Sequence, residues 1–108
     1  MNQVINITNE AHQVHTILTD NGNITLTLRF YPIVEAWIMD VAYGTKSVYG
    51  VKLSLSVLHL EKFNFPFDFT VTGTAGIDPY NINDFSEGRC TLWFVNSTEM
   101  EEYRGIVV

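Results

Sequence analysis

Residues Asn23–Tyr43 read NITLTLRFYPIVEAWIMDVAY, and the two alternating halves of this stretch decide the fold. In an extended chain Ile24, Leu26, Leu28 and Phe30 fall on one face, and Thr25, Thr27 and Arg29 on the other. Past Tyr31-Pro32-Ile33-Val34 the pattern resumes. Trp37, Met39, Val41 and Tyr43 share one face, and Ile38, Asp40 and Ala42 the opposite one. A period of two is the mark of a half-buried β-strand. Pro32 cannot donate a ladder hydrogen bond, so the chain turns there. The stretch is therefore a β-hairpin or adjacent strand pair around which a mostly β domain forms.

Outward from this pair the same pattern recurs. QVINIT (3–8) predicts a short first strand, and QVHTILT (13–19) a second. Asp20-Asn21-Gly22-Asn23 predicts a tight hairpin turn, because Asn-Gly suits the positive φ angles of a type I′ turn. Ser47–Leu55 alternates, with Gly50 marking a bulge or a close backbone approach. Phe63, Phe65, Phe67 and Phe69 stand at every second position, so an extended chain points all four rings one way. Phe63, Phe65 and Phe69 read as core together with Trp37, and Phe67–Val71 as the sixth strand. Residues 72–88 show no clear periodicity. Arg89–Val95 is the last strand, apolar on both faces near its end and so covered on two sides. Thr98-Glu99-Met100-Glu101 has the form of a capping box, Gly105 is placed to end the helix, and Ile106-Val107-Val108 is an apolar tail. The expected fold is all-β: a single domain over residues 1–108, a small antiparallel barrel or sandwich of about seven strands with one short C-terminal helix.

Charge and composition narrow the function. Twelve acidic residues against six scattered basic ones leave a net charge of −6, which argues against a nucleic-acid surface. No apolar run approaches the roughly 20 residues of a membrane helix. No secretory leader is visible, so synthesis in a reducing cytoplasm is expected. The lone Cys90 allows no internal disulfide and reads as a small buried hydrophobe. His12 and His15 lie three apart, which in a strand turns their rings to opposite faces and suits no metal. There is no nucleophile elbow or phosphate loop. Asp40 shares a face with Ile38 and Ala42 and reads as an edge or surface carboxylate. No catalytic residue, metal or cofactor is expected. The aromatic residues leave a ligand- or carbohydrate-binding β domain as the alternative function. Trp93 is divided between a second core face and an interface.

The order and spacing of several segments resemble the phage baseplate plug family, small all-β structural proteins of contractile-tailed phages. The segments are Leu26–Tyr31, Trp37–Val41 with the Gly44 turn, Val48–Leu53, Phe67–Val71, Gly76-Ile77-Asp78-Pro79-Tyr80 and Gly88-Arg89-Cys90-Thr91-Leu92-Trp93, within residues 22–95. The Tyr80–Glu87 loop and the tail from Ser97 extend beyond the usual pattern. The resemblance implies a structural virion protein without enzymatic activity. It would sit at the centre of the tail baseplate in several copies around the tail axis, contacting hub, spike and surrounding baseplate proteins. Candidate interface residues are Trp93, Asp78, Pro79, Arg89, Ile106, Val107 and Val108. Asp78-Pro79 and Arg89 bracket a glycine-containing loop, which Arg89 would pin through Asp78 or Asp84. The tail would add a strand to a neighbour or to its own sheet.

Overall fold

The computed structural model describes residues 2–19 and 22–107, the last five as backbone only. Among the described residues there are seven strands: β1 (Asn2–Gln3), β2 (His12–Thr19), β3 (Gly22–Tyr31), β4 (Ala36–Tyr43), β5 (Lys46–Lys52), β6 (Phe67–Gly73) and β7 (Cys90–Asn96). A helix, α1 (Ser97–Val107), follows β7 directly. The strands form two antiparallel sheets, ordered β2-β3-β4-β5 and β1-β7-β6. They stay separate, so the architecture is a sandwich and not a closed barrel.

β3 and β4 are the central pair of the larger sheet, in register from Ile24↔Tyr43 to Tyr31↔Ala36. Their alternation does what the sequence predicts. Ile24, Leu26, Leu28, Trp37, Met39 and Val41 are buried and meet Phe67, Phe69, Val71, Cys90 and Leu92 of the smaller sheet in one core cluster. The rings of Phe65, Phe67, Phe69, Phe94 and Tyr43 form a connected set with centroids 5.2–5.9 Å apart, mostly tilted or edge-on as their quadrupoles prefer.

Several local expectations are corrected. The first strand stops at Gln3 because Asn6 adopts a left-handed conformation (φ 65°) that breaks the alternation. Thr19 pairs with Gly22, so Gly22 opens β3 and is not a central turn residue; Asp20 and Asn21 lie outside the described residues. β5 ends at Lys52 and not at Leu55. The chain then crosses between the sheets: Leu53 N donates to Trp37 O (3.0 Å), and Ser56 N to Val71 O (2.8 Å) beside a parallel bridge from Leu55 to Val71. His59 secures the crossing, its Nε2 accepting from Ser54 N (2.8 Å) and its Nδ1–H donating to Phe69 O (2.7 Å). Phe63 is not core. It ends a 3-10 turn (Glu61–Phe63) followed by left-handed Asn64, and is 38% exposed.

The helix start is also displaced. The capping pair is Asn96 and Glu99, not Thr98 and Glu101. Asn96 Oδ1 accepts from Glu99 N (2.9 Å), and Glu99 Oε1 accepts from Asn96 N (3.2 Å). β7 runs to Asn96, so the helix begins at the next residue and the cap falls there. α1 packs on β6 and β7, where Val95 and Met100 are buried outside the main cluster. That is the second covered face expected of the last strand. Asn96→Ala is expected to cost about 1 kcal/mol in urea unfolding, whereas Thr98→Ala, a surface change away from the cap, should stay within about 0.5 kcal/mol.

Candidate interaction surface

The segment joining β6 to β7, residues 74–89, has no regular structure, yet its backbone is tightly tied. Gly73 stands at its base, where a Cβ would lie 3.1 Å from each of Arg89 O, Cys90 Sγ and a Leu55 methyl. A side chain there would have to push these neighbours back by a few tenths of an ångström, so glycine suits the close approach of the two ends. Thr74 N donates to Arg89 O (3.0 Å) and Cys90 N to Asp84 O (2.9 Å), closing the ends together.

Arg89 fills the loop's centre. Its Nε and Nη2 donate to the two oxygens of Asp84 at 2.8 Å each, a bidentate fork. Nη1 donates to Thr74 O (3.1 Å) and Ile77 O (2.9 Å), and Nη2 also to Asp78 O (3.0 Å). All five guanidinium hydrogens are thereby used. Tyr80 lays its ring 5.0 Å from the guanidinium carbon. Asp84 in turn accepts from Tyr80 N and Asn81 N at 2.8 Å each. The Arg89 hydrogen bonds lower its carboxyl pKa to about 2, and the same pairing raises that of Arg89. The pinning partner is therefore the Asp84 carboxylate, with Asp78 contributing its backbone carbonyl. The Asp78 side chain looks the other way, accepting from Leu55 N (2.9 Å) and lying 3.9 Å from Lys52 Nζ.

The tied loop is bolted to the core. Trp37 Nε1 donates to Asn81 O (3.1 Å), and Phe85 meets the Trp37 ring edge-on at 5.5 Å. Trp37 itself has no exposed surface, so it is not a sugar-stacking platform. Pro79 is buried. What the loop holds outward is Ile77, 51% exposed, and Tyr80, 44% exposed. Trp93 is half-buried on the outer face of the smaller sheet, across from Thr70, with Nε1 donating to Thr72 Oγ1 (2.8 Å). Ile106 and Val107 belong to α1 by their backbone, which makes this end helical and not a strand; their side chains and Val108 lie outside the described residues.

Asp40 is not free. It receives Arg29 Nη2 (2.7 Å) and Gly50 N (2.8 Å). The register of β4 and β5 shifts there, and Gly50 takes a positive φ of 75°, the bulge its sequence position suggested. His15 Nε2 donates to Gln13 Oε1 (2.8 Å), the same oxygen that accepts from Thr8 N. Burial pushes the Cys90 thiol up, away from the thiolate form. Burial likewise raises the Asp68 carboxyl, despite hydrogen bonds from Leu60 N and Phe69 N.

The β3–β4 turn carries residues that were not singled out from sequence. Ile33 is 96% exposed and Val34 66% exposed, with Tyr31 beside them under the Arg29 guanidinium. Their signal was present as two apolar residues placed directly after a proline in a turn.

Residues 2–98 match the family described as cyanophage baseplate Pam3 plug gp18. This chain belongs to that baseplate plug family. The match takes in both sheets, the tied loop and the first residues of α1, and leaves the rest of the helix beyond it. It makes the plug a structural protein of the phage tail baseplate, in keeping with the resemblance of its strand segments. No curated protein matches the chain.

Proposed function

We propose that this plug occupies the centre of the baseplate, in several copies around the tail axis, and binds hub, spike and surrounding baseplate proteins. The observation that carries this reading is the set of apolar side chains exposed on two turns. Ile33 and Val34 crown the β3–β4 hairpin, and Ile77 and Tyr80 stand on the tied loop. Large apolar groups exposed to water are the ordinary anchors of protein interfaces. Asp78, Pro79 and Arg89 serve the contact by fixing the loop. Trp93 borders it on the outer sheet face, and the helix end at Ile106, Val107 and Val108 is a second contact. The net charge of −6 favours partner surfaces bearing Lys and Arg.

Co-expression with the hub and spike proteins, followed by size exclusion, tests the proposal. The double variant Ile33→Asp, Val34→Asp is expected to abolish co-elution, while its unfolding free energy moves by less than about 0.5 kcal/mol. Co-elution at wild-type levels would refute the assignment of the tip as a contact.

A further inference from the structure

The two outer strands of the larger sheet are treated differently by the sequence. β5 carries Lys46 and Lys52, and is broken by the Gly50 bulge opposite Asp40. Lysines and bulges are the usual devices that keep an edge from pairing with another chain. β2 (HQVHTILT) has none of them: it is eight residues long, with no Lys, Arg, Asp, Glu or Pro and no register shift against β3.

Its backbone groups are also available. Phe30 N donates to Ala11 O (2.8 Å). In the antiparallel ladder that follows, odd-numbered residues of β2 direct N–H and C=O toward β3. His12, Val14, Thr16 and Leu18 direct theirs away from the sheet. All four are exposed, and among the described residues none of their backbone groups has a hydrogen bond on that side. On the opposite flank of the sandwich the crossing at residues 53–59 seals the sheets together. At β2 the seam is tied at its Gln13 end, where Gln13 bonds Thr8 and Glu10, and open along His15–Thr19.

Two cavities lie along this open seam. One, of about 300 Å³, opens at Ile17–Thr19 and reaches Tyr43, Phe67 and Phe94 between the sheets. The other, of about 340 Å³, opens at His15–Ile17 against Val4. Both are lined by Ile17, one continuing to Leu18 and Thr19 and the other back to Thr16 and His15.

We propose that β2 receives an extended segment of a neighbouring baseplate protein, which adds a fifth strand to the sheet and sets two uncharged side chains into the seam. The proposal rests on the baseplate reading and adds the mode of binding. Strand addition draws affinity from main-chain hydrogen bonds and specificity from pockets for alternate side chains. A charged residue entering this uncharged seam would be buried without a partner. A second copy of the chain is the poorer occupant, because its inward β2 side chains are committed at home. Gln13 is buried and donates to Thr8 O and Glu10 O, and His15 is held by Gln13.

The test uses the full chain in purified phage tails. Thr16→Pro removes only an outward N–H, a position where an edge strand tolerates proline. Thr16→Lys, which keeps the ladder intact, is the companion variant should the proline impair folding. Either variant, folded as judged by urea unfolding, is expected to enter tails at least about tenfold less than wild type when supplied against a phage lacking the gene. Hydrogen exchange should show the Val14, Thr16 and Leu18 amides protected in tails and open in the isolated chain. Equal incorporation of a folded variant, or equal exchange in both states, overturns strand addition. So does an isolated wild-type dimer that Thr16→Pro splits, which would assign the edge to self-pairing. Absence of the wild-type chain itself from tails would instead defeat the baseplate reading.

Discussion

Replacing Arg89 with alanine is expected to destabilise the plug by about 3–5 kcal/mol, the cost of leaving one half of a buried ion pair behind. The Asp84 carboxylate is only 6% exposed. Without Arg89 it keeps two backbone donors, from Tyr80 and Asn81, and loses the fork that balances its charge. The carbonyls of Thr74, Ile77 and Asp78 lose their donor together. Arg89→Lys should rescue little, since an ammonium cannot reproduce the planar fork. Denaturant unfolding at neutral pH reads both effects. The same pair sets a pH dependence. The Asp84 carboxyl is lowered from 3.8 to about 2, so its stabilisation is fully present above about pH 4 and is lost as pH falls toward 2. A difference of that size contributes about 2 kcal/mol. Comparing wild type with Asp84→Asn between pH 6 and pH 2 isolates it: the gap between them should close as the solution is acidified. A gap that stays constant would show that the carboxylate does not act through its charge.

Trp37→Ala is expected to cost about 3–5 kcal/mol as a core truncation, and to release the loop as well. The indole is fully buried between Phe30 and Phe85 and donates to Asn81 O. One side chain therefore joins the central strand pair to the segment that presents Ile77 and Tyr80. Trp37→Phe separates the two roles. It keeps most of the volume and removes the donor; Asn81 O still accepts from Asp84 N (3.0 Å), so only the one lost hydrogen bond, about 0.5–1.5 kcal/mol, should remain. Hydrogen exchange across residues 74–89 should accelerate in Trp37→Ala beyond what the global loss of stability explains. If exchange in the loop follows global unfolding alone, Trp37 is packing only.

Neither effect could be sized from the sequence, though both residues drew attention there. Trp37 was legible as core because its neighbours at Met39 and Val41 share its face. Arg89 was legible as a loop pin, with Asp78 and Asp84 equally good partners by position. The choice fell to Asp84 because a turn brings its carboxylate onto both the Tyr80 and Asn81 amides, while Asp78 is drawn off by Leu55 N. The helix cap moved from Thr98 to Asn96 for a similar reason: where β7 stops pairing decides where the helix begins. Phe63 was misplaced because periodicity counts residues and does not sense the left-handed turn at Asn64 that interrupts it.

The chain's own sequence determined that the protein is β-rich, where its main inward faces lie and which long segment has no regular structure. Those are properties of alternation and turn chemistry, set by side chains a few residues apart. Only the tertiary structure decided that the two sheets remain an open sandwich, that the tied loop rests on Trp37, and that one edge strand lies bare while the other is guarded. These depend on contacts between residues tens of positions apart. Burial and backbone hydrogen bonding at such contacts are settled by which surfaces meet, and no local pattern records that.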